Sequence, residues 1–120
     1  MNIENFRNYC LTKKAVTEEL PFGPDNLVFK VMGKMFALAS LDEIPLRINL
    51  KCDPERALEL REQHEENILP GYHMSKKHWN TLILDGRLRP EMIFDLTTHS
   101  YDLVVTGLTG KQRKELENLE

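Results

Sequence analysis

Residues 27–41 have the sequence LVFKVMGKMFALASL. Two apolar stretches, 27–32 and 35–41, flank Gly33-Lys34, where glycine can take the positive φ of a tight turn. This pattern predicts a β-hairpin. With the turn at Gly33-Lys34, Phe29 lies opposite Leu38 and Val31 opposite Phe36, so that apolar pairs stack on one face.

Two later stretches predict further strands. In residues 47–51 (RINLK) polar and apolar residues alternate strictly, so Ile48 and Leu50 face a core while Arg47, Asn49 and Lys51 face outward. Residues 79–84 (WNTLIL) are mostly apolar and end at Asp85-Gly86, a dipeptide suited to a turn. We therefore expect an antiparallel sheet of at least four strands.

Helix-capping residues precede the other apolar patterns. Asn2 caps a first helix that contains Phe6 and Cys10, and Asp53 before Pro54 caps a second. Pro90 starts a helix to about Thr97, with a break near His99 and a continuation from Ser100 to Val105. Thr109 and Gln112 form a capping box for a terminal helix.

Composition is that of one folded domain. The chain has 120 residues, 41% hydrophobic and 29% charged, which is enough apolar surface to order a single domain over residues 1–120. We see no secretory signal and no apolar stretch of the roughly 20 residues that cross a bilayer, so no membrane partner is expected. Two cysteines, Cys10 and Cys52, are typical of free thiols in a reducing compartment, and we expect a soluble cytoplasmic protein.

Charge is distributed unevenly. The net charge of the whole chain is -3, which disfavours binding to nucleic acid. Residues 70–90 nevertheless hold four cations and one anion, whereas residues 53–66 hold six acids and two arginines. One basic segment therefore lies on an acidic protein, and the second helix should repel DNA.

The basic segment carries a family resemblance. Residues 70–81 read PGYHMSKKHWNT, and a strand and Asp85-Gly86 follow them. Matching features elsewhere, in order, are VFKV at 28–31, GKMFA at 33–37, Leu50-Lys51 before Pro54-Glu55, and Ser100-Tyr101. Over nearly its whole length the chain resembles the MmcQ/YjbR family. The resemblance implies an α+β fold, with an antiparallel sheet packed against helices on one face as in frataxin and CyaY, and a "double wing" mode of DNA binding.

The cations suggest a nucleic-acid surface. We expect phosphate contacts from the basic segment, extended by cations of the outward sheet face, and stacking on a base by Tyr72 or Trp79. The cations concerned are Lys76, Lys77, His78, Arg87, Arg89, Lys30, Arg47 and Lys51. The alternative interpretation is a solvated loop beside a tryptophan that belongs to the core.

Catalytic and metal-binding patterns are weak. His64, His73 and His78 lack metal-ligand spacing, and no CxxC or HExxH accompanies them, so we expect neither metal nor cofactor. Ser75, His78 and Asp85 are the residue types of a hydrolase triad, but no nucleophile elbow accompanies them. We therefore expect no catalytic residues and no enzymatic activity.

The leading hypothesis is thus a small non-enzymatic cytoplasmic protein of bacterial type that binds DNA through the basic loop and the sheet face. The alternative is a module for protein interaction or for a small anionic ligand, in which Tyr72, Met74 and Trp79 form an apolar recess rimmed by cations. A hydrolase or redox enzyme relying on Cys52 or His78 is the third hypothesis. Cations gathered on one face, away from the acidic helix, favour the first.

Overall fold

A computed structural model describes residues 1–119. The elements in this range are α1 (Ile3–Leu11), β1 (Val16–Glu19), β2 (Asn26–Val31), β3 (Lys34–Ser40), β4 (Leu46–Lys51), α2 (Pro54–Gln63), β5 (Ile68–Pro70), β6 (Trp79–Leu84), α3 (Pro90–Thr106) and α4 (Gly110–Asn118). In that part of the chain, no helix is long and apolar enough to cross a membrane.

The strands form one antiparallel sheet in the order β1-β2-β3-β4-β6-β5. Side chains at alternate positions of β4 and β6, such as Ile48, Leu50 and Leu82, join the helices in a single hydrophobic core. The expected α+β fold, with helices on one face of an antiparallel sheet, is confirmed. The other face we call the open face.

The strands β1 and β5 were not predicted. They have four and three residues, and β5 ends at Pro70, so neither shows a sustained alternation. Both lie at the edges of the sheet, where short strands with charges or proline limit pairing with other molecules.

The hairpin forms as predicted, but its register differs. Met32 and Gly33 are the two turn residues, with φ of 50° and 78°, and Val31 therefore lies opposite Lys34. A bulge between Phe29 and Lys30 then places Phe29 opposite Ala37. The expected turn at Gly33-Lys34, and the pairs of Phe29 with Leu38 and Val31 with Phe36, were wrong. A turn with two positive φ values matches the twist of the strands better.

The bulge decides which residues of β3 face the helices. Phe36, the extra residue, is fully buried in the core and meets Tyr101 edge to face, with ring centroids 5.4 Å apart. Leu38 lies opposite Val28 and Asn49, so it belongs to the open face. Leu38 therefore becomes part of the surface from which the candidate site is built.

The helix caps follow the prediction, except in α3. The side chains of Asn2 and Asp53 accept from main-chain N–H groups, and Thr109 forms its capping box with Gln112. The break expected near His99 was wrong, because α3 is continuous. Ser100, expected to cap, instead donates its hydroxyl to the Phe36 carbonyl and accepts from the Lys51 N–H, joining α3 to the sheet.

The loop between β5 and β6 (71–78) packs tightly against β6. The Gly71 N–H donates to the Trp79 carbonyl at 2.9 Å. A Cβ at Gly71 would lie 2.7 Å from the Trp79 Cβ and 2.9 Å from its carbonyl oxygen, closer than side chains tolerate. Only glycine allows this approach.

Replacement Gly71→Ala should therefore lower the free energy of unfolding by about 1–3 kcal/mol, the usual cost of overpacking. Urea denaturation of the variant measures it. The control is Gly110→Ala, at the first residue of α4, where the added Cβ meets nothing within 4 Å. Equal stability of the two variants would contradict the tight approach at Gly71.

Candidate functional site

The open face carries a regular array of side chains. Asn26, Ser40 and Arg47 lie opposite one another on β2, β3 and β4 and form a polar row. The neighbouring row contains Val28, Leu38, Asn49 and Thr81 in the same cross-strand order. Polar and apolar groups therefore lie side by side on the floor of this surface.

Three loops rise around these rows and enclose a cavity of about 710 Å³. Phe22 comes from the loop between β1 and β2, Asp42 and Glu43 from the loop between β3 and β4, and Tyr72, His73 and Met74 from the loop between β5 and β6. Met35, Leu38, Ser40, Arg47, Asn49, Thr81 and Asn26 complete the lining. The apolar residues supply contact area and the polar ones supply a few directed groups, as in small-ligand sites.

Hydrogen bonds hold the loop between β5 and β6 on the open face. The Tyr72 N–H donates to the Thr81 hydroxyl at 3.0 Å, and the Asn49 amide donates to the Tyr72 carbonyl at 3.2 Å. Thr81 in turn donates to the Asn49 side-chain oxygen at 2.5 Å. The next residue, His73, has a φ of 59°, unusual outside glycine, and its ring lies 4.0 Å from that of Tyr72. The wall of the cavity is therefore anchored to its floor.

Arg47 is the unusual group of the cavity. Its Nε is buried and has no hydrogen-bond partner among residues 1–119. Asp42 and Glu43 line the same cavity, but neither forms an ion pair with Arg47 within the described chain. A buried donor left unpaired costs about 1–3 kcal/mol, more when it is charged. Because Arg47 also lines the cavity and is only partly buried, the rest of its guanidinium is a candidate donor to an acceptor placed there.

Replacement Arg47→Met should raise the free energy of unfolding by about 1 kcal/mol, because it keeps the aliphatic contacts and removes an unpaired buried donor. Urea denaturation measures this change. Lys30→Met is the matched control, since it removes a cation of the same face that is ion-paired with Glu19 at 3.0 Å. A lower stability for Arg47→Met than for the control would contradict the unpaired state of Arg47.

The structure does not gather the predicted cations into one patch. Arg87 forms ion pairs with Glu66 and with Asp85, and Lys30 with Glu19, so these cations have acidic neighbours. Lys51 lies at the end of β4 opposite Trp79. Of the eight predicted cations, Arg47 is the one that lines the cavity of the open face.

Lys76 and Lys77 lie elsewhere, beside the acidic helix. With Pro54, Glu55 and Leu58 of α2 they line a second cavity of about 390 Å³. Arg61 of α2 donates to the carbonyls of Lys76 and Trp79 and holds this part of the loop. His78 and Arg89 are exposed. The helix expected to repel DNA is therefore adjacent to the lysines expected to bind it.

The apolar recess is only partly as expected. Tyr72 and Met74 line the large cavity, and the Tyr72 side chain is 67% exposed at its mouth. Trp79 is half-buried and is absent from the lining, because its Cβ lies under Gly71. The polar floor, Asn26, Ser40, Asn49 and Thr81, was not predicted. The outward position of Asn49 in an alternating strand was the available signal.

The two thiols lie outside both cavities. Burial raises the pKa of Cys10 to about 12, and burial also raises the pKa of Cys52 above its ordinary value. Neither thiol is therefore activated as a nucleophile.

The Asp85 carboxylate accepts hydrogen bonds from the Asn67 side-chain amide and from the Arg87 main-chain N–H. These bonds hold it in the turn after β6. Among residues 1–119, no three His, Cys, Asp or Glu side chains are grouped to hold a metal ion.

Comparison with known proteins matches residues 11–103 to the model of a family described as YjbR. An uncharacterised protein of Escherichia coli O157:H7, YbdF, is 43% identical over 97 residues, which are 80% of this chain and 78% of YbdF. The uncharacterised YjbR of Escherichia coli strain K12 is 33% identical over 119 residues, covering 99% of this chain and all of YjbR.

A solved structure is similar as well. The crystal structure of protein DR2400 from Deinococcus radiodurans, which contains a DUF419 domain, has a TM-score of 0.92 and 42% sequence identity, over 97% of this chain and 88% of that one. A TM-score this high means that the sheet and the helices have the same arrangement in the two proteins.

Proposed function

The chain belongs to the YjbR family, and from its geometry we propose that it is a non-enzymatic binding module whose ligand occupies the cavity on the open face. The cavity carries this proposal, because Arg47 in its lining forms no ion pair with any residue from 1 to 119. Its guanidinium is therefore available to a charged acceptor on a ligand. A volume of about 710 Å³ suits a small organic ligand.

The lining defines the chemistry of the ligand. Arg47 favours an anion with planar oxygens, and Ser40 beside it can supply a further hydrogen bond. Leu38, Met35 and Met74 favour an apolar body next to that anion. Because Asp42 and Glu43 also line the cavity, a single negative charge is accepted more readily than several. The proposed ligand is therefore an amphipathic monocarboxylate.

We expect 3-phenylpropanoate, chosen as a simple amphipathic monocarboxylate, to raise the thermal midpoint of the protein, and neutral 3-phenylpropanamide to raise it less. At a concentration 100 times its Kd a ligand stabilises by about 2.7 kcal/mol. Arg47→Gln should weaken binding by about tenfold or more, since it removes a charge-assisted hydrogen bond. Calorimetric titration measures both affinities.

Lys30→Gln is the control, because Lys30 is on the same face but is paired with Glu19 and does not line the cavity. Its affinity should equal that of the unaltered protein. If Arg47→Gln binds 3-phenylpropanoate as well as Lys30→Gln does, Arg47 is not the anion site. If no shift occurs at millimolar concentrations, the monocarboxylate assignment fails.

DNA binding is the second candidate. Lys76 and Lys77 are exposed and form no ion pair with any residue from 1 to 119, so they are available to phosphates. The double-wing mode implied by the family resemblance favours the same role. Glu55 beside these lysines and the net charge of -3 oppose DNA binding.

We also propose a cytoplasmic location, since both cysteines are free.

If the loop binds DNA, retention on heparin should fall when Lys76 and Lys77 are both replaced by glutamine, and the salt slope of duplex binding should fall by about two. Replacement of Arg47, which lines the cavity on the other side of the loop's hydrogen bonds to the sheet, should change retention less than replacement of the two lysines. Fluorescence anisotropy at 20–200 mM salt measures the slope, a range chosen so that the electrostatic contribution changes strongly. Absence of binding to single-stranded and duplex DNA at the lowest salt would exclude this candidate.

A further inference from the structure

Exposed apolar side chains are concentrated on the loops that border the open-face cavity. Eight large hydrophobic side chains are exposed in the described part of the chain, and five of them belong to the three loops that enclose the cavity. They are Leu20, Phe22, Leu41, Ile44 and Tyr72. Ile44 is 96% exposed, and Phe22 and Tyr72 are each 67% exposed. Single exposed leucines are ordinary, but here Phe22 and Tyr72 line the cavity and Ile44 directly follows the lining residue Glu43, which marks a binding surface.

The loops that carry this rim are tied together. The Leu41 N–H donates to the Asp25 carbonyl at 2.7 Å and so links the loop between β3 and β4 to the loop between β1 and β2. Tyr72 is anchored to the floor through Asn49 and Thr81. The rim is therefore a preformed surface, which lowers the entropy lost when a partner binds.

A small molecule inside the cavity covers the floor but leaves the rim in water. A chain that fills the cavity with its end and continues outward covers both. The end must then carry the single negative charge and the apolar group that the cavity selects. A polypeptide C-terminus has this chemistry, with one carboxylate next to one side chain, whereas internal peptide groups are neutral.

We propose that the cavity binds the C-terminal end of a partner polypeptide. This proposal rests on the proposed function and specifies the ligand of the same site. The terminal carboxylate accepts from Arg47, and the last side chain, which is apolar, packs on Leu38 and Met74. The preceding residues cross the rim formed by Phe22, Ile44 and Tyr72.

The acidic residues of the cavity lining predict a preference among the sequences of partner polypeptides. Asp42 and Glu43 line the cavity, directly precede Ile44 in the chain, and are both exposed. Residues that precede the bound terminus therefore meet negative potential. Lysine or arginine is favoured there, and aspartate or glutamate is disfavoured.

The test uses matched arrays of hexapeptides of randomised sequence, one with free C-terminal carboxylates and one with C-terminal amides. We expect binding on the free-carboxylate array, with apolar last residues enriched, and at least about tenfold weaker binding of the amidated form of each selected peptide. Fluorescence anisotropy with the selected peptides measures the affinities. Arg47→Gln should abolish the preference for the carboxylate, and Lys30→Gln should keep it.

A rim variant separates a peptide from a small molecule. The replacement Ile44→Ser should weaken peptide binding by about tenfold, because apolar anchors carry much of an interface energy. It should leave 3-phenylpropanoate binding unchanged, because Ile44, unlike Phe22 and Tyr72, lies outside the cavity lining. Circular dichroism confirms that the variant is folded.

Each result distinguishes the two proposals. Equal binding of amidated and free peptides overturns recognition of the C-terminus. Arg47-dependent binding of 3-phenylpropanoate without binding of any peptide overturns this inference and leaves the proposed function intact. Failure of both peptides and 3-phenylpropanoate overturns both. A rim variant that binds the selected peptides with unchanged affinity overturns the role of the rim.

Discussion

Hydrogen bonds among Tyr72, Thr81 and Asn49 hold the loop between β5 and β6 over the open face of the sheet. They position the first part of this loop over the cavity, while Arg61 of α2 holds its later part. With the loop in place, the polar row of Asn26, Ser40 and Arg47 becomes the floor of a cavity instead of a solvated surface. The same contacts satisfy buried polar groups, since Asn49 and Thr81 are 7% and 3% exposed.

The charge of a segment in the sequence differs from the charge that its residues present on the folded surface. Arg87 is one of four cations in the basic segment, yet its nearest partners are carboxylates, one of which, Glu66, lies outside that segment. Lys30 of β2 is likewise paired with Glu19 of the neighbouring strand β1. Arg47, predicted as one of many phosphate contacts, instead lines a cavity together with Asp42 and Glu43. A single cation beside two carboxylates is unsuited to a long polyanion, which needs several cations side by side.

Elements with long local patterns were predicted well. The hairpin, β4, β6 and the caps of α1, α2 and α4 each depend on residues that are neighbours in sequence. The register of the hairpin and the continuity of α3 depend on other elements. Phe36 takes the bulge position because the core accepts its ring, and Ser100 stays helical because its hydroxyl bonds to the sheet. Local propensity is a weak guide where such tertiary contacts compete.

The sequence by itself determined the type of each long element, the antiparallel class of the sheet and the family. Periodicity and capping act within a few residues, and so they are readable in a single chain. Tertiary structure alone decided the cavity, the position of Arg47 in its lining without an ion pair among residues 1–119, and the acidic neighbours of the lysines. The contacts responsible join residues far apart in the chain: Asn49 and Tyr72 are 23 positions apart, and Arg87 and Glu66 are 21. No local pattern encodes which of the distant groups will meet, because that is fixed by strand order and by the packing of loops onto the sheet.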